Sequence, residues 1–283
     1  MNKSYFEMSI AFNESNSETI YNRLYMEGIT TILEETGVLK IYLNSENEDK
    51  LHQIKKNLIE TEIISETNIR ISKFDNQDWN KEWEQTIEPV IIKDKIIIYP
   101  SWKKSSLKNT VNKILIQIDP KMSFGTGHNE TTQLILELMS DYIAHNDKFM
   151  LDYGCGTGIL AIAGIKLGVE KAIAIDIDED AIENAKECFE QNNVDKYIIL
   201  YQKDISQIDE NSFDVISANI TSNVIIPKLK DIYNKLKSNG KVFITGILVE
   251  EKVNLIHELK KNNFEIKDIR DKAEWTSFYA IKK

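Results

Sequence analysis

Asp152-Tyr153-Gly154-Cys155-Gly156-Thr157-Gly158 is the stretch that decides the fold of this 283-residue chain. The preceding Phe149-Met150-Leu151 reads as the end of a buried strand, and Ile159 to Leu167 has helical apolar spacing. The three glycines therefore fall at a strand-to-helix turn. Missing side chains let a ligand approach the backbone there, and the helix N-terminus offers unpaired N–H groups. A second hydrophobic strand, Ala172 to Ile175, ends in Asp176, with Asp178 just beyond. A carboxylate in that place accepts hydrogen bonds from both hydroxyls of a ribose. The sequence thus predicts a site for a ligand that carries a nucleoside.

A dinucleotide turn is written G-x-G-x-x-G, and here Ile159 stands where its third glycine belongs. The observed G-x-G-x-G, with Asp152 two residues ahead, resembles the first motif of S-adenosylmethionine-dependent methyltransferases. That ligand has no pyrophosphate to cradle, and its ammonium group is satisfied by carbonyls and a nearby acid, the place expected for Asp152. Gly154, Gly156, Gly158 and Asp176 complete the expected cofactor set. Asp204, after the strand-like Tyr197 to Tyr201, reads either as a partner of the adenine amino group or as a loop-capping acid. Asn219 follows the strand-like Phe213 to Ile216 and projects at the same sheet edge as Asp152 and Asp176. Its amide either holds the cofactor, or orients an amine towards the transferable methyl, or caps the helix beginning near Ser222.

A hydrophobic content of 42% over this length fits one large domain and a smaller one. No stretch approaches the length of an apolar membrane span, and the start Met1-Asn2-Lys3-Ser4 lacks the features of a secretion signal, so a cytoplasmic protein is expected. Cys155 and Cys188 make no metal-ligand pattern and read as reduced thiols. A net charge of -10 disfavours direct nucleic-acid binding, and the only arginines are Arg23, Arg70 and Arg270. Such a surface attracts a basic protein; residues 1–75 alone hold 13 acids against 8 basic residues. Solubility is the plainer explanation of the same charge.

The first 75 residues read as β-α-β-β-α-β: strand-like Tyr5 to Phe12, helical Glu18 to Met26, strand-like Thr31 to Glu34 and Val38 to Leu43, helical Asp49 to Ile59, strand-like Ile69 to Phe74. That order fits a small ferredoxin-like α+β domain, to which we assign recognition, since nothing in it resembles a catalytic constellation. Residues 76–93 read as a polar connector in which Trp79 and Trp83 share a helix face. From residue 94 to the end, strands and helices alternate, predicting a doubly wound, Rossmann-like parallel sheet closed by a strand near Ser277 to Ile281. A second glycine-containing loop, Asp119 to Thr132, precedes a helix running to about Tyr142.

These residues together resemble the PrmA-type methyltransferases, which modify the large-subunit ribosomal protein numbered eleven. The likeness rests on Asp78-Trp79 and Trp83, Tyr99-Pro100-Ser101-Trp102, Phe124-Gly125-Thr126-Gly127 with Thr131-Thr132, the turn Asp152 to Gly158, Asp176-Ile177-Asp178 and Ala218-Asn219-Ile220. It implies that Thr132, Gly154, Asp176 and Asn219 bind S-adenosylmethionine, that the front domain docks a basic ribosomal protein, and that the connector lets it swing. We expect Asn219 with Phe124 and Thr126 to position the amine, and Gly125 and Gly127 to flank the methionine end. The chain departs from the family at Gly127-His128-Asn129-Glu130-Thr131-Thr132, where the imidazole is displaced by one position. No family role is carried to His128, which reads as a solvated loop residue with proton acceptance as the alternative. A monomer is expected. Two competing readings are a nicotinamide-dependent oxidoreductase and a noncatalytic adenosylmethionine-binding factor.

Overall fold

A computed structural model describes residues 5–13, 16–29, 32–35, 37–44, 48–60, 63–74, 87–119 and 127–283. The chain divides into two compact units, Met1–Thr86 and Ile87–Lys283. Trp79, Trp83 and the connector to residue 86 lie outside the described residues, as do Phe124, Gly125 and Thr126.

In the first unit, strands β1 (Tyr5–Ala11), β2 (Leu33–Glu35), β3 (Val38–Asn44) and β4 (Ile69–Phe74) form an antiparallel sheet in the order β2-β3-β1-β4. Helices α1 (Ser17–Met26) and α2 (Glu48–Glu60) complete the β-α-β-β-α-β order. Alternation along β1 sends Phe6, Met8 and Ile10 to one face, paired with Leu43, Ile41 and Leu39 of β3. Ile20 and Leu24 of α1, and Leu51, Ile54 and Leu58 of α2, recur at helical spacing and close the same core. Burying such side chains is worth about 1.5 to 3 kcal/mol each, which gives the unit a core of its own.

The second unit carries a seven-stranded sheet built from β8 (Phe149–Tyr153), β9 (Lys171–Asp176), β10 (Ile198–Gln202), β11 (Phe213–Asn219), β12 (Leu236–Leu248), β13 (Phe264–Lys272) and β14 (Trp275–Lys282). Its order is β10-β9-β8-β11-β12-β14-β13. Neighbours from β10 to β12 are parallel, whereas β14 is antiparallel to both β12 and β13. The last strand therefore enters the sheet by a hairpin, because β13 and β14 are joined by a short turn that only antiparallel strands can use. Helices cover both faces. Met150, Ala172, Ala174 and Val215 pack with α3 (Glu130–Tyr142), α4 (Ile159–Leu167) and α5 (Glu179–Gln191). Their strand neighbours Leu151, Ile173, Ile175 and Ile216 pack with α6 (Ser222–Lys235) and α7 (Lys252–Lys261). Strands buried on both faces read as continuous apolar runs for this reason.

A smaller sheet, β5 (Val90–Ile92), β6 (Ile96–Tyr99) and β7 (Ile114–Gln117), packs its isoleucines on the α3 and α4 side. Val90–Ile92 falls within the stretch expected to be connector and pairs antiparallel with β6. The order in which strands are added reverses at β8, whose successor β9 lies on one side while β11 lies on the other. Ligands bind beyond the carboxyl ends of the strands at such a point. Among the described residues no helix is long and apolar enough to cross a membrane.

Candidate active site

The glycine turn leaves β8 at its carboxyl edge and feeds α4. Gly154 N–H and Cys155 N–H both donate to the Ile175 carbonyl at 2.9 Å, tying the turn to the neighbouring strand β9. Gly158 caps α4 with φ +73°, and a Cβ there would lie 2.2 Å from Cε1 of Phe189. A glycine is required at that position on both conformational and steric grounds.

Asp176, at the end of β9, receives the Gly156 N–H on Oδ2 at 2.9 Å and the Asp178 N–H on Oδ1 at 3.1 Å. Each carboxylate oxygen keeps a second lone pair for a ligand. A cavity of about 440 Å³ opens in front of the turn. Its walls include Gly154, Gly156, Asp176, Asn219 and the apolar Ile177, Ile220 and Val224. The volume lies in the range of small-molecule sites. A carboxylate for the ribose, aliphatic walls for a purine and bare backbone at the turn fit an adenosyl group.

Asp152 does not line this cavity. Its carboxylate is fully buried, accepting the Ser217 hydroxyl at 2.8 Å and the Ala161 N–H at 3.0 Å. Burial pushes its pKa up to about 7, with the Asp176 charge adding to the rise and the two hydrogen bonds opposing it. Strand alternation turns Asp152 to the α4 face, where its carboxylate anchors the first turn of the helix through Ala161 N–H.

Asp204 caps the turn that follows β10. It receives Ser206 N–H at 3.0 Å and forms a capping box with Gln207 over a short 3₁₀ turn. Lys228 Nζ at 2.6 Å, Ser206 Oγ at 2.6 Å and Tyr153 OH at 3.1 Å also donate to it. Burial raises its pKa, but these donors outweigh it and hold the carboxyl well below the usual range. Asp204 and Tyr153 still form part of the cavity wall, beside Lys203.

Asn219 ends β11 and faces two cavities. Its Nδ2 lies 3.4 Å from the hydroxyls of both Thr131 and Thr132, on α3. The helix-cap alternative is not what it does: Thr221 is the residue before α6. Thr132 is wholly buried and reaches Asn219 rather than the open cavity. Gly127, at φ +85°, packs against Ile98, where a Cβ would come within 2.8 Å. His128 has its Nε2 3.0 Å from the Glu88 carbonyl and lines neither cavity.

The second cavity, about 270 Å³, is walled by Asn129, Glu130, Thr131, Asn219, Thr221, Gly246 and Trp275. Sequence reasoning missed Glu130 and Trp275, which no spacing rule links to the turn, and missed Ile177, Ile220 and Val224. Apolar residues directly after Asp176 and Asn219 were the available signal for two of these.

The family model described as ribosomal protein L11 methyltransferase (PrmA) matches residues 4–283. Curated ribosomal protein L11 methyltransferases are similar to this chain. The one from Thermoanaerobacter pseudethanolicus is 32% identical over 262 residues, covering 90% of this chain and 83% of that protein. The one from Caldicellulosiruptor saccharolyticus is 39% identical over 219 residues, covering 77% and 70%. The crystal structure of a ribosomal protein L11 methylase from Lactobacillus delbrueckii subsp. bulgaricus superposes with a TM-score of 0.64 at 25% identity, covering 70% of this chain and 100% of that one. The oxidoreductase and noncatalytic readings give way to these matches. The chain belongs to the ribosomal protein L11 methyltransferase (PrmA) family and is an S-adenosylmethionine-dependent methyltransferase.

Proposed function

We propose that this protein methylates amines, lysine side chains among them, on ribosomal protein L11. The observation that carries the site assignment is the convergence of Gly154, Gly156, Asp176 and Asn219 on one cavity at the reversal point of the sheet. The named substrate of the similar proteins supplies the acceptor.

When bound, S-adenosylmethionine supplies an electrophilic methyl group on a sulfonium. Asp176 would accept the ribose hydroxyls, while Ile177, Ile220 and Val224, which line the same cavity, would hold the purine by apolar contact. Thr131 and Thr132 receive the Asn219 amide N–H groups, which leaves its Oδ1 to accept an N–H of the incoming amine. That hydrogen bond turns the nitrogen lone pair towards the methyl and fixes a near-attack geometry. Lysine carries an ordinary pKa of about 10.4, and entry into a desolvated cavity favours loss of its proton.

The Met1–Thr86 unit docks the substrate in this reading, supported by its separate core and by the acidic excess of residues 1–75. The enzyme acts in the cytoplasm as a monomer on the protein itself, without direct nucleic-acid contact, in keeping with its net charge of -10. Transfer of a labelled methyl from S-adenosylmethionine to purified L11, followed by mass spectrometry of the product, tests the proposal. Cofactor binding with no label in L11 would refute the substrate.

A further inference from the structure

We propose that the 270 Å³ cavity behind Asn219 is the acceptor subsite, and that Glu130 and Trp275 are specificity-determining residues that admit a primary ammonium group. The inference rests on the methyl-transfer reading and adds how the acceptor is chosen.

The first support is position. Asn219 and Thr221 are shared by the walls of both cavities, so an amine entering the second reaches Asn219 next to the cofactor cavity. The second is the way the sheet makes room. Pairing of β12 with β14 shifts register between Ile244 and Ile247, and Gly246 sits in the shift at φ +83°. A Cβ at Gly246 would come 2.9 Å from the Ile220 carbonyl oxygen, so only glycine lets β12 bulge beside the cofactor edge. Trp275 opens β14 opposite Leu248, just past the bulge, and forms part of the wall.

The third is chemistry. The lining carries one formal charge, the Glu130 carboxylate, together with an aromatic ring, two amides and two hydroxyls, and no cation. Among the described residues, the side chains of Asn129 and Glu130 and the Trp275 indole N–H have no hydrogen-bond or ion-pair partner. A carboxylate and an indole lining one cavity are the groups that receive an organic cation. The lysine ammonium is captured in that form and loses a proton to solvent before reaction. Its nitrogen lone pair then forms the N–CH₃ bond as the S–CH₃ bond breaks, and that electron pair stays on sulfur as a neutral thioether. The positive charge passes to the methylated nitrogen, which Glu130 continues to hold. Glu130 thus contributes to binding before and after transfer alike, and its loss raises KM with little change in kcat.

The test uses the full chain saturated with S-adenosylhomocysteine, so that the cofactor's own amino-acid end is already in place. The Trp275 indole N–H resonance, assigned with Trp275→Phe, is followed while n-butylammonium or n-butanol is added. The cation should shift it and the alcohol should not, and Glu130→Gln should weaken the cation's apparent affinity by about tenfold. The same variant should raise KM for L11 by a similar factor, with kcat within about twofold and adenosylhomocysteine affinity unchanged. An indole that does not move, or moves equally with both probes, overturns the subsite even if wild type methylates L11. A response that disappears once adenosylhomocysteine is bound assigns the cavity to the cofactor and also overturns it. A normal titration in a protein that transfers no methyl overturns the reaction reading instead.

Discussion

An Asp152→Asn variant should gain stability relative to the parent chain as pH rises. In the parent the carboxyl is wholly buried between Ser217 and Ala161, and its pKa climbs from 3.8 to about 7 on folding. Below pH 4 the group is protonated in folded and unfolded chains alike, so no ionisation penalty exists. Between pH 4 and 7 the unfolded chain has released the proton and the folded one retains it, so stability falls steadily as pH increases. Above 7 both forms are ionised and the loss is complete. A gap of about three pH units corresponds to about 4 kcal/mol. The amide is nearly isosteric and keeps both contacts, its oxygen accepting from Ala161 N–H and its nitrogen donating to Ser217 Oγ, but it does not titrate. Urea unfolding of both proteins at half-unit steps from pH 4 to 8.5, read on a probe in the Ile87–Lys283 unit, gives the difference directly. It should grow in the variant's favour up to neutrality and then level off. A difference that stays flat across the range would show that Asp152 ionises as an ordinary surface acid and would refute the burial argument.

Asp176→Ala should weaken S-adenosylmethionine binding in calorimetry by about 1.5 to 3 kcal/mol for each ribose hydrogen bond lost; unchanged affinity in a folded variant removes the ribose assignment. Asn219→Ala should slow single-turnover transfer at saturating cofactor while the denaturation midpoint barely moves, since Thr221 and not Asn219 precedes α6. A midpoint that falls with transfer near wild type would reverse that conclusion. Gly158→Ala should cost about 2 to 5 kcal/mol of stability from the left-handed backbone and the Phe189 clash together, and Phe189→Leu should restore part of it in thermal melts. A chain lacking residues 1–86 should retain cofactor affinity and lose methylation of L11; full-rate transfer by the folded fragment would end the docking role.

Strand and helix identity was legible because it depends on local periodicity. Ile159–Leu167 and Ile69–Phe74 fall where the residue pattern places them. The glycine turn, Asp176 and Asn219 were legible for a related reason: each ends a strand, and the strand ends of a parallel sheet share one edge. Which way a side chain turns at that edge was not. Asp152 and Tyr153 are adjacent in sequence, yet strand alternation buries the acid behind the turn and sets the tyrosine in the cavity wall. Asp204 offers the same carboxylate as Asp176, but Lys228, reaching across from α6, engages it.

The sequence by itself determined the β-α-β-β-α-β order of the first unit, the cofactor turn and the class of ligand, since these follow from side-chain type and spacing along a few consecutive residues. Only the tertiary structure decided the antiparallel entry of β14, the bulge at Gly246 and the placing of Glu130 and Trp275 on one cavity wall. Those two residues stand just over half the chain apart and come to one cavity through the packing of α3 against the last strands, where total apolar burial rather than local preference sets the outcome.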